Sequence, residues 1–332
     1  FDKLNDRQEE AVRHVDGPCL VIAGAGSGKT KVLTTRIAYL IDQGISDYNI
    51  LAITFTNKAA KEMRERLSHL VPDNHVFVGT FHSFGLKIIR ENVAELGMDK
   101  NFTIIDSDDV LSLIKRIMKD LNLDPKELSP YFVRSKISFI KNELLTDGDL
   151  DKFFNTPAEK SVINVYHEYD KILRRNNSVD FDDLLALPVK LFRNNKDILD
   201  KYQEHYKYIL IDEYQDTNEV QYKLSRLIGA KYKNIFVVGD ANQCVVKGSK
   251  IKTKLGEKNI EDIKENDEVL TAVGYGGVDY QLVEKIIPTK YEGKIVKITT
   301  ESGLILECTP DHTMFYKLPI EDFAIIIWKH NN

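Results

Sequence analysis

The sequence predicts an α/β fold on a parallel sheet, broken by a long helical stretch and followed by an all-β tail. Three observations predict it. Short apolar runs at Cys19–Ala23, Tyr208–Ile211 and Asn234–Val238 suit buried parallel strands, and a helical pattern follows the first of them directly. Residues 84–185 carry mostly helical periodicity, with Leu111, Ile114, Ile117 and Met118 as one apolar stripe. Beyond Gln243 the composition changes: all twelve arginines lie before it, and the final 89 residues use lysine alone. Period-2 apolar patterns and Gly-containing turns take over there, as in Glu268–Ala272, Ile295–Thr299 and Leu304–Cys308. These shifts place a domain boundary near residue 243.

The 332 residues are enough for two or three domains. At 42% hydrophobic and 29% charged, the composition is that of a globular protein. The net charge of −5 argues against nucleic-acid binding by bulk charge but leaves a local basic groove open. Three cysteines, Cys19, Cys244 and Cys308, form neither a disulfide framework nor a CxxC metal spacing, so a reducing, cytoplasmic location is expected. The longest apolar run, Phe323–Trp328, is too short to cross a bilayer, and no membrane partner is expected.

The first strand runs into Ala23-Gly24-Ala25-Gly26-Ser27-Gly28-Lys29-Thr30, and the helix after it has Val32, Leu33, Ile37, Leu40 and Ile41 on one face. Strand, Gly-rich loop and helix are the context a P-loop requires. The backbone of Gly24, Ala25, Gly26, Ser27 and Gly28 is expected to turn its N–H groups toward phosphates, with the helix N-terminus adding favourable field. Lys29 would reach the β- and γ-phosphates of ATP, and Thr30 would ligate Mg²⁺. Ala23 replaces the usual first glycine. A Gly-rich turn without ligand is the plainer alternative, and the flanking strand and helix argue against it.

The second strand ends in Asp212-Glu213. Asp212 would hold Mg²⁺ directly or through water, and Glu213 would orient and deprotonate an attacking water. Paired acids can also be a solvated strand end. The complete P-loop favours the catalytic reading.

Further segments resemble the UvrD/Rep/PcrA group of superfamily 1 helicases. Leu4-Asn5-Asp6-Arg7-Gln8 resembles their Q motif, Ala52–Ala60 motif Ia and Gly79-Thr80-Phe81-His82-Ser83 motif Ib. Asp212–Thr217 resembles motif II and Gly239–Gln243 the start of motif III, while Val179–Leu185 matches a segment these enzymes carry before motif II. The motifs keep the family's order over residues 4–243. The resemblance implies a RecA-like ATP-binding domain formed by 1–83 and 186–243, with 84–185 as a helical insertion subdomain. It implies that Gln8 reads adenine, and that Gln215 and Gln243 sense the γ-phosphate and couple it to DNA. It also implies that Phe55, Asn57, Thr80, His82 and Tyr214 line a single-strand track, where aromatic stacking suits sequence-independent binding. Core packing is the alternative for Phe55 and Tyr214. Lys31 stands where many relatives have Arg, which keeps the charge but not the bidentate geometry. The expected activity is ATP-dependent 3′–5′ unwinding, with ATP, Mg²⁺ and single-stranded or duplex DNA as ligands. The family's motifs IV–VI, with their phosphate-contacting arginines, are not in this sequence, so weak nucleotide binding and poor hydrolysis are expected of this chain alone.

After Gln243 the family pattern continues with Ser-Ile-Tyr, whereas this chain reads Cys244-Val245-Val246-Lys247-Gly248. That resembles the first block of an intein, and Gly303–His312, with Thr309-Pro310-Asp311-His312, resembles a later intein block. The resemblance implies that 244–332 is the N-terminal part of a Hint domain, all-β and partial. Cys244 would attack the carbonyl of Gln243, His312 would protonate the departing nitrogen, and Thr309 would donate a hydrogen bond. The later intein blocks are absent, and Phe323–Asn332 lacks the strand expected before a terminal His-Asn. A C-terminal intein–helicase fragment is therefore the expected partner. The alternative is a truncated chain that binds nucleotide or single-stranded DNA and never splices.

Overall fold

The computed structural model describes residues 4–23, 27–239, 250–254, 256–264, 267–274, 277–282, 296–299, 305–308 and 324–328. Gly24, Ala25, Gly26, Gln243, Cys244, Thr309 and His312 lie outside the described residues.

The chain order begins α1 (Asp6–Arg13), β1 (Cys19–Ala23), α2 (Lys29–Asp42), β2 (Ile50–Thr54), α3 (Asn57–Leu70), β3 (Phe77–Thr80) and α4 (Phe81–Glu91). It continues β4 (Thr103–Ile104), α5 (Ser107–Asp120), α6 (Pro130–Glu143), α7 (Asp147–Phe153), α8 (Pro157–Arg175), β5 (Ser178–Val179), α9 (Asp183–Asn194) and α10 (Lys196–His205). Then come β6 (Tyr208–Ile211), α11 (Glu219–Gly229) and β7 (Asn234–Gly239). The remaining strands are β8 (Lys250–Thr253), β9 (Gly256–Asn259), β10 (Glu268–Gly274), β11 (Gly277–Leu282), β12 (Val296–Thr299), β13 (Ile305–Cys308) and β14 (Ala324–Trp328). The chain divides into two compact units.

The first unit comprises Phe1–Gln43, Ile211–Asp216 and Asn234–Asn332. Its centre is β1, which pairs in parallel with β7 (Cys19 opposite Phe236) and with β14 (Cys19 opposite Ala324). A strand flanked on both sides must be apolar throughout, and Cys19–Ala23 is. Ala324–Trp328, within the longest apolar run, thus forms a parallel strand beside β1. Helix α1 starts with a reciprocal capping box, Asn5 with Gln8. Helix α2 buries Val32, Leu33, Ile37 and Leu40, with Ile41 partly buried, as its periodicity predicts. The period-2 segments after residue 250 form antiparallel structure: a sheet in the order β11-β10-β8-β9 and a separate β12–β13 hairpin.

The second unit comprises Gly44–Leu210 and Thr217–Lys233. Its strands follow the order β6-β2-β3, with β2 and β3 parallel and Leu51 opposite Phe77. Helix α4 packs on α9 at Gly85, where an added Cβ would sit 1.9 Å from the Leu184 carbonyl oxygen. Only a residue without a side chain permits that approach. Residues 105–173 enclose a separate helical core of Ile114, Ile117, Met118, Val133, Phe154, Val165 and Tyr169. One short parallel pair, β4 with β5, punctuates this mostly helical region.

Candidate functional site

In the first unit the residues after β1 and the Asp212–Gln215 segment converge. Gly28 caps α2 with φ +85°, a left-handed conformation that suits glycine. A Cβ there would lie 3.2 Å from Gln8 Nε2. The Gln8 amide donates to the Ser27 carbonyl at 2.8 Å, and its oxygen accepts from Asn5 N at 3.0 Å. Gln8 is therefore fastened to the loop on one side and to its own helix cap on the other. Lys29, only 8% exposed, opens α2, and its ammonium donates to the Ala23 carbonyl at 3.2 Å. Thr30 is half-buried in the same first turn, and its carbonyl accepts from Thr34 Oγ1.

Asp212, 4% exposed, follows β6 and accepts from Glu213 N at 3.0 Å. Burial pushes its carboxyl up to about 6, and the Glu213 charge pushes the same way. The Glu213 N–H and the Lys29 ammonium oppose the shift without cancelling it. A divalent cation would relieve both burial and repulsion, so the chemistry of this acid pair fits such an ion. Glu213 adopts φ +49°, which costs a non-glycine residue about 1–3 kcal/mol and is found at functional sites. Gln215 donates to Glu213 Oε2 at 2.6 Å. A Cβ on Gly239 would come within 3.1 Å of Gln215 Oε1, so the motif II glutamine lies across the end of β7. Tyr214 is half-buried in the single 3-10 turn between Glu213 and Thr217.

In the second unit Phe55 is half-buried and meets Phe81 edge-on, with centroids 5.7 Å apart. Asn57 is exposed in the first turn of α3. Thr80 is buried, and its hydroxyl accepts from Ser83 N to cap α4. His82 stacks on Phe181 with centroids 4.1 Å apart and planes 26° apart. Burial lowers the His82 pKa, with Asp182 opposing, so the ring is neutral at neutral pH.

Comparison with known proteins identifies the setting of these residues. Residues 4–255 match the UvrD/REP helicase N-terminal domain. This chain belongs to that family. It is 48% identical over 245 residues to the ATP-dependent DNA helicase PcrA of Staphylococcus epidermidis, covering 73% of this chain and 34% of that protein. It is 46% identical over 248 residues to PcrA of Staphylococcus aureus, covering 74% and 34%. The chain thus spans about a third of the length of these relatives. Among the described residues no helix is long and apolar enough to cross a membrane.

Within this UvrD/REP-type domain, three features escape sequence reasoning. Arg36 is fully buried on the apolar face of α2, where its guanidinium donates to the carbonyls of Ala11, Val12 and Val15 and lies 4.3 Å from the Phe236 ring centre. It ties α1, and hence Gln8, to the sheet. Phe181, a large apolar side chain between Asp180 and Asp182, is 59% exposed. Lys141, 2% exposed, reaches Asp180 at 2.6 Å and Asp183 at 2.8 Å. A buried cation in the last turn of α6 carries no local signal of its role, because its partners lie about forty residues away.

Proposed function

We propose that this chain is the nucleotide-binding front part of an ATP-dependent 3′–5′ DNA helicase. The observation that carries the reading is the meeting, within one compact unit, of Lys29, the Asp212–Glu213 pair and Gln215 around the start of α2. The backbone of Gly24–Gly28 and the ammonium of Lys29 receive the phosphates of ATP. Thr30 and Asp212 hold Mg²⁺, which supplies charge neutralisation at the phosphates when bound. Glu213 orients the attacking water and accepts its proton, and Gln215, already hydrogen-bonded to Glu213, senses the γ-phosphate. Gln8 sits against the phosphate loop and reads adenine. Phe55, Asn57, His82 and Tyr214 contact the single strand, and the exposed Phe181 extends that surface through its stack on His82. Thr80 contributes by fixing the start of α4. The ATP-binding domain comprises 1–83 and 186–243 and the helical insertion 84–185. A fluorescent ATP analogue titrated with Mg²⁺ tests the reading: binding is expected in the parent and weakened at least about tenfold in Lys29→Ala, and equal binding by both overturns it.

The second part of the proposal concerns residues 244–332 as the N-terminal part of a split or truncated intein. What supports it is a cysteine that interrupts motif III after Gln243, followed by antiparallel strands β8–β13. The Cys244 thiolate attacks the Gln243 carbonyl carbon, the peptide bond becomes a thioester, and His312 protonates the released nitrogen while Thr309 hydrogen-bonds to it. The partner is a C-terminal fragment carrying the rest of intein and helicase. Intact mass after dithiothreitol treatment, beside a Cys244→Ala control, tests this. Release of residues 1–243 from the parent alone is expected. No cleavage in either overturns the processing reading for this chain and favours a non-splicing nucleotide- or DNA-binding module.

A further inference from the structure

The turn Asp180–Asp183 is held by hydrogen bonds and ion pairs from several elements of the second unit. Asp183 N donates to Asp180 Oδ1 at 2.9 Å and Asp180 N donates to Asp183 Oδ2 at 3.2 Å, a reciprocal box that closes the turn on itself. Lys141 Nζ then lies between the two carboxylates, at 2.6 Å and 2.8 Å. Tyr169 Oη donates to the same Asp180 oxygen at 2.8 Å, and the Lys141 ammonium lies 5.1 Å from the centre of the Tyr169 ring. The neighbouring Asn142 donates to Asp182 Oδ1 at 2.9 Å and accepts from the Asn218 amide at 3.0 Å. Asn218 is the cap of α11. Three of the four turn residues are thus held from α6 and α8, and the fourth, Phe181, projects outward onto His82.

This is an expensive way to secure a turn. Two carboxylates and an ammonium are removed from water, and a well-packed apolar cluster would serve stability equally well. What the ionic arrangement adds is direction. Each donor meets a defined oxygen, so the backbone at 180–183 has one position, and with it the ring of Phe181. An aromatic platform that stacks on bases loses affinity if it must first be ordered from several rotamers.

We propose that Lys141, supported by Tyr169, is a positioning residue for single-stranded DNA binding, holding the Asp180–Asp183 turn so that Phe181 stays stacked on His82. The proposal rests on the reading that the His82–Phe181 surface contacts the single strand. Lys141 itself is buried and touches no DNA.

The test uses the whole chain and an oligo(dT) carrying one 2-aminopurine, whose emission is quenched when it stacks on an aromatic ring. Affinity comes from anisotropy and stacking from the quench. Lys141→Arg keeps the charge but not the compact geometry. It is expected to weaken binding at least threefold and to lose most of the quench, while affinity for a fluorescent ATP analogue stays at the parent value. Phe181→Ala is expected to show the same two losses. The double variant is expected to bind no more weakly than Phe181→Ala alone, because both changes remove one contact. Should Lys141→Arg fail to fold, Tyr169→Phe, which deletes one hydroxyl, carries the same test with a smaller loss. If Phe181→Ala is weak while Lys141→Arg and Tyr169→Phe bind as the parent does, the positioning role is wrong and the single-strand reading stands. Additive losses in the double variant also overturn it, since Lys141 would then act elsewhere. If Phe181→Ala binds like the parent, or the parent does not bind at all, the underlying reading of this surface fails and the proposal falls with it.

Discussion

Asp212 and Asp180 both follow directly on a strand, are both buried, and are shifted in opposite directions. Burial acts first on each, raising the carboxyl. At Asp212 it prevails: the neighbour is another acid, Lys29 opposes only weakly, and the group titrates at about 6. At Asp180 the Lys141 ammonium, with hydrogen bonds from Lys141, the Asp183 N–H and Tyr169, overcomes burial and holds the carboxyl below its ordinary range. Asp183 lies between the two cases, raised to about 6 by burial and by Asp180 with Lys141 opposing. One aspartate has its cation built in, whereas the other has a site that a cation would complete. The first arrangement suits a fixed joint and the second suits the proposed ligand site, and residue type and local sequence do not distinguish them.

The contrast can be broken most directly at the built-in cation. Lys141→Met leaves two buried carboxylates uncompensated and is expected to cost about 3–5 kcal/mol in urea unfolding. A loss below about 1 kcal/mol would mean that the lysine is not what holds Asp180 down. The second test concerns pH. A carboxyl raised from 3.8 to about 6 contributes stability in full below its unfolded value and loses it as pH rises through about 6. Asp212 alone should therefore lower stability by roughly 2–3 kcal/mol between pH 4 and pH 7. Asp212→Asn is expected to remove that slope and to unfold at higher urea than the parent at pH 7. Asp180 has the opposite sign, its contribution being present above the unfolded value and lost as pH falls through the folded one. The smallest effect on stability is expected at Lys29. Lys29→Ala should change unfolding by no more than about 1 kcal/mol, while the lost charge-assisted contact weakens nucleotide binding roughly tenfold to a hundredfold. A large stability loss there would make Lys29 a structural lysine like Lys141.

The parts of the fold that the sequence reveals are those governed by neighbours a few residues apart. Alternation and periodicity mark β1, α2, α5, β6, β7, β10 and β13, because these patterns depend on contacts within one element. The phosphate loop is visible for the same reason: its glycines, Lys29 and Thr30 are contiguous. The residues missed are those whose roles depend on distant partners. Arg36 reads as a flaw in an apolar stripe until the α1 carbonyls are placed around it. The sequence alone predicts no strand in Phe323–Asn332, yet Ala324–Trp328 is a strand and pairs with β1 about 300 residues earlier.

By itself the sequence determined the α/β character, the step from β1 to α2 and the acid pair at the end of β6, since each is written in adjacent residues and follows from backbone geometry. Only the tertiary structure decided that Gln8 is tied to Ser27, that Lys141 joins Asp180 to Asp183, and that Phe181 faces outward onto His82. Those facts depend on which distant groups share a low-dielectric space, and no local pattern encodes that.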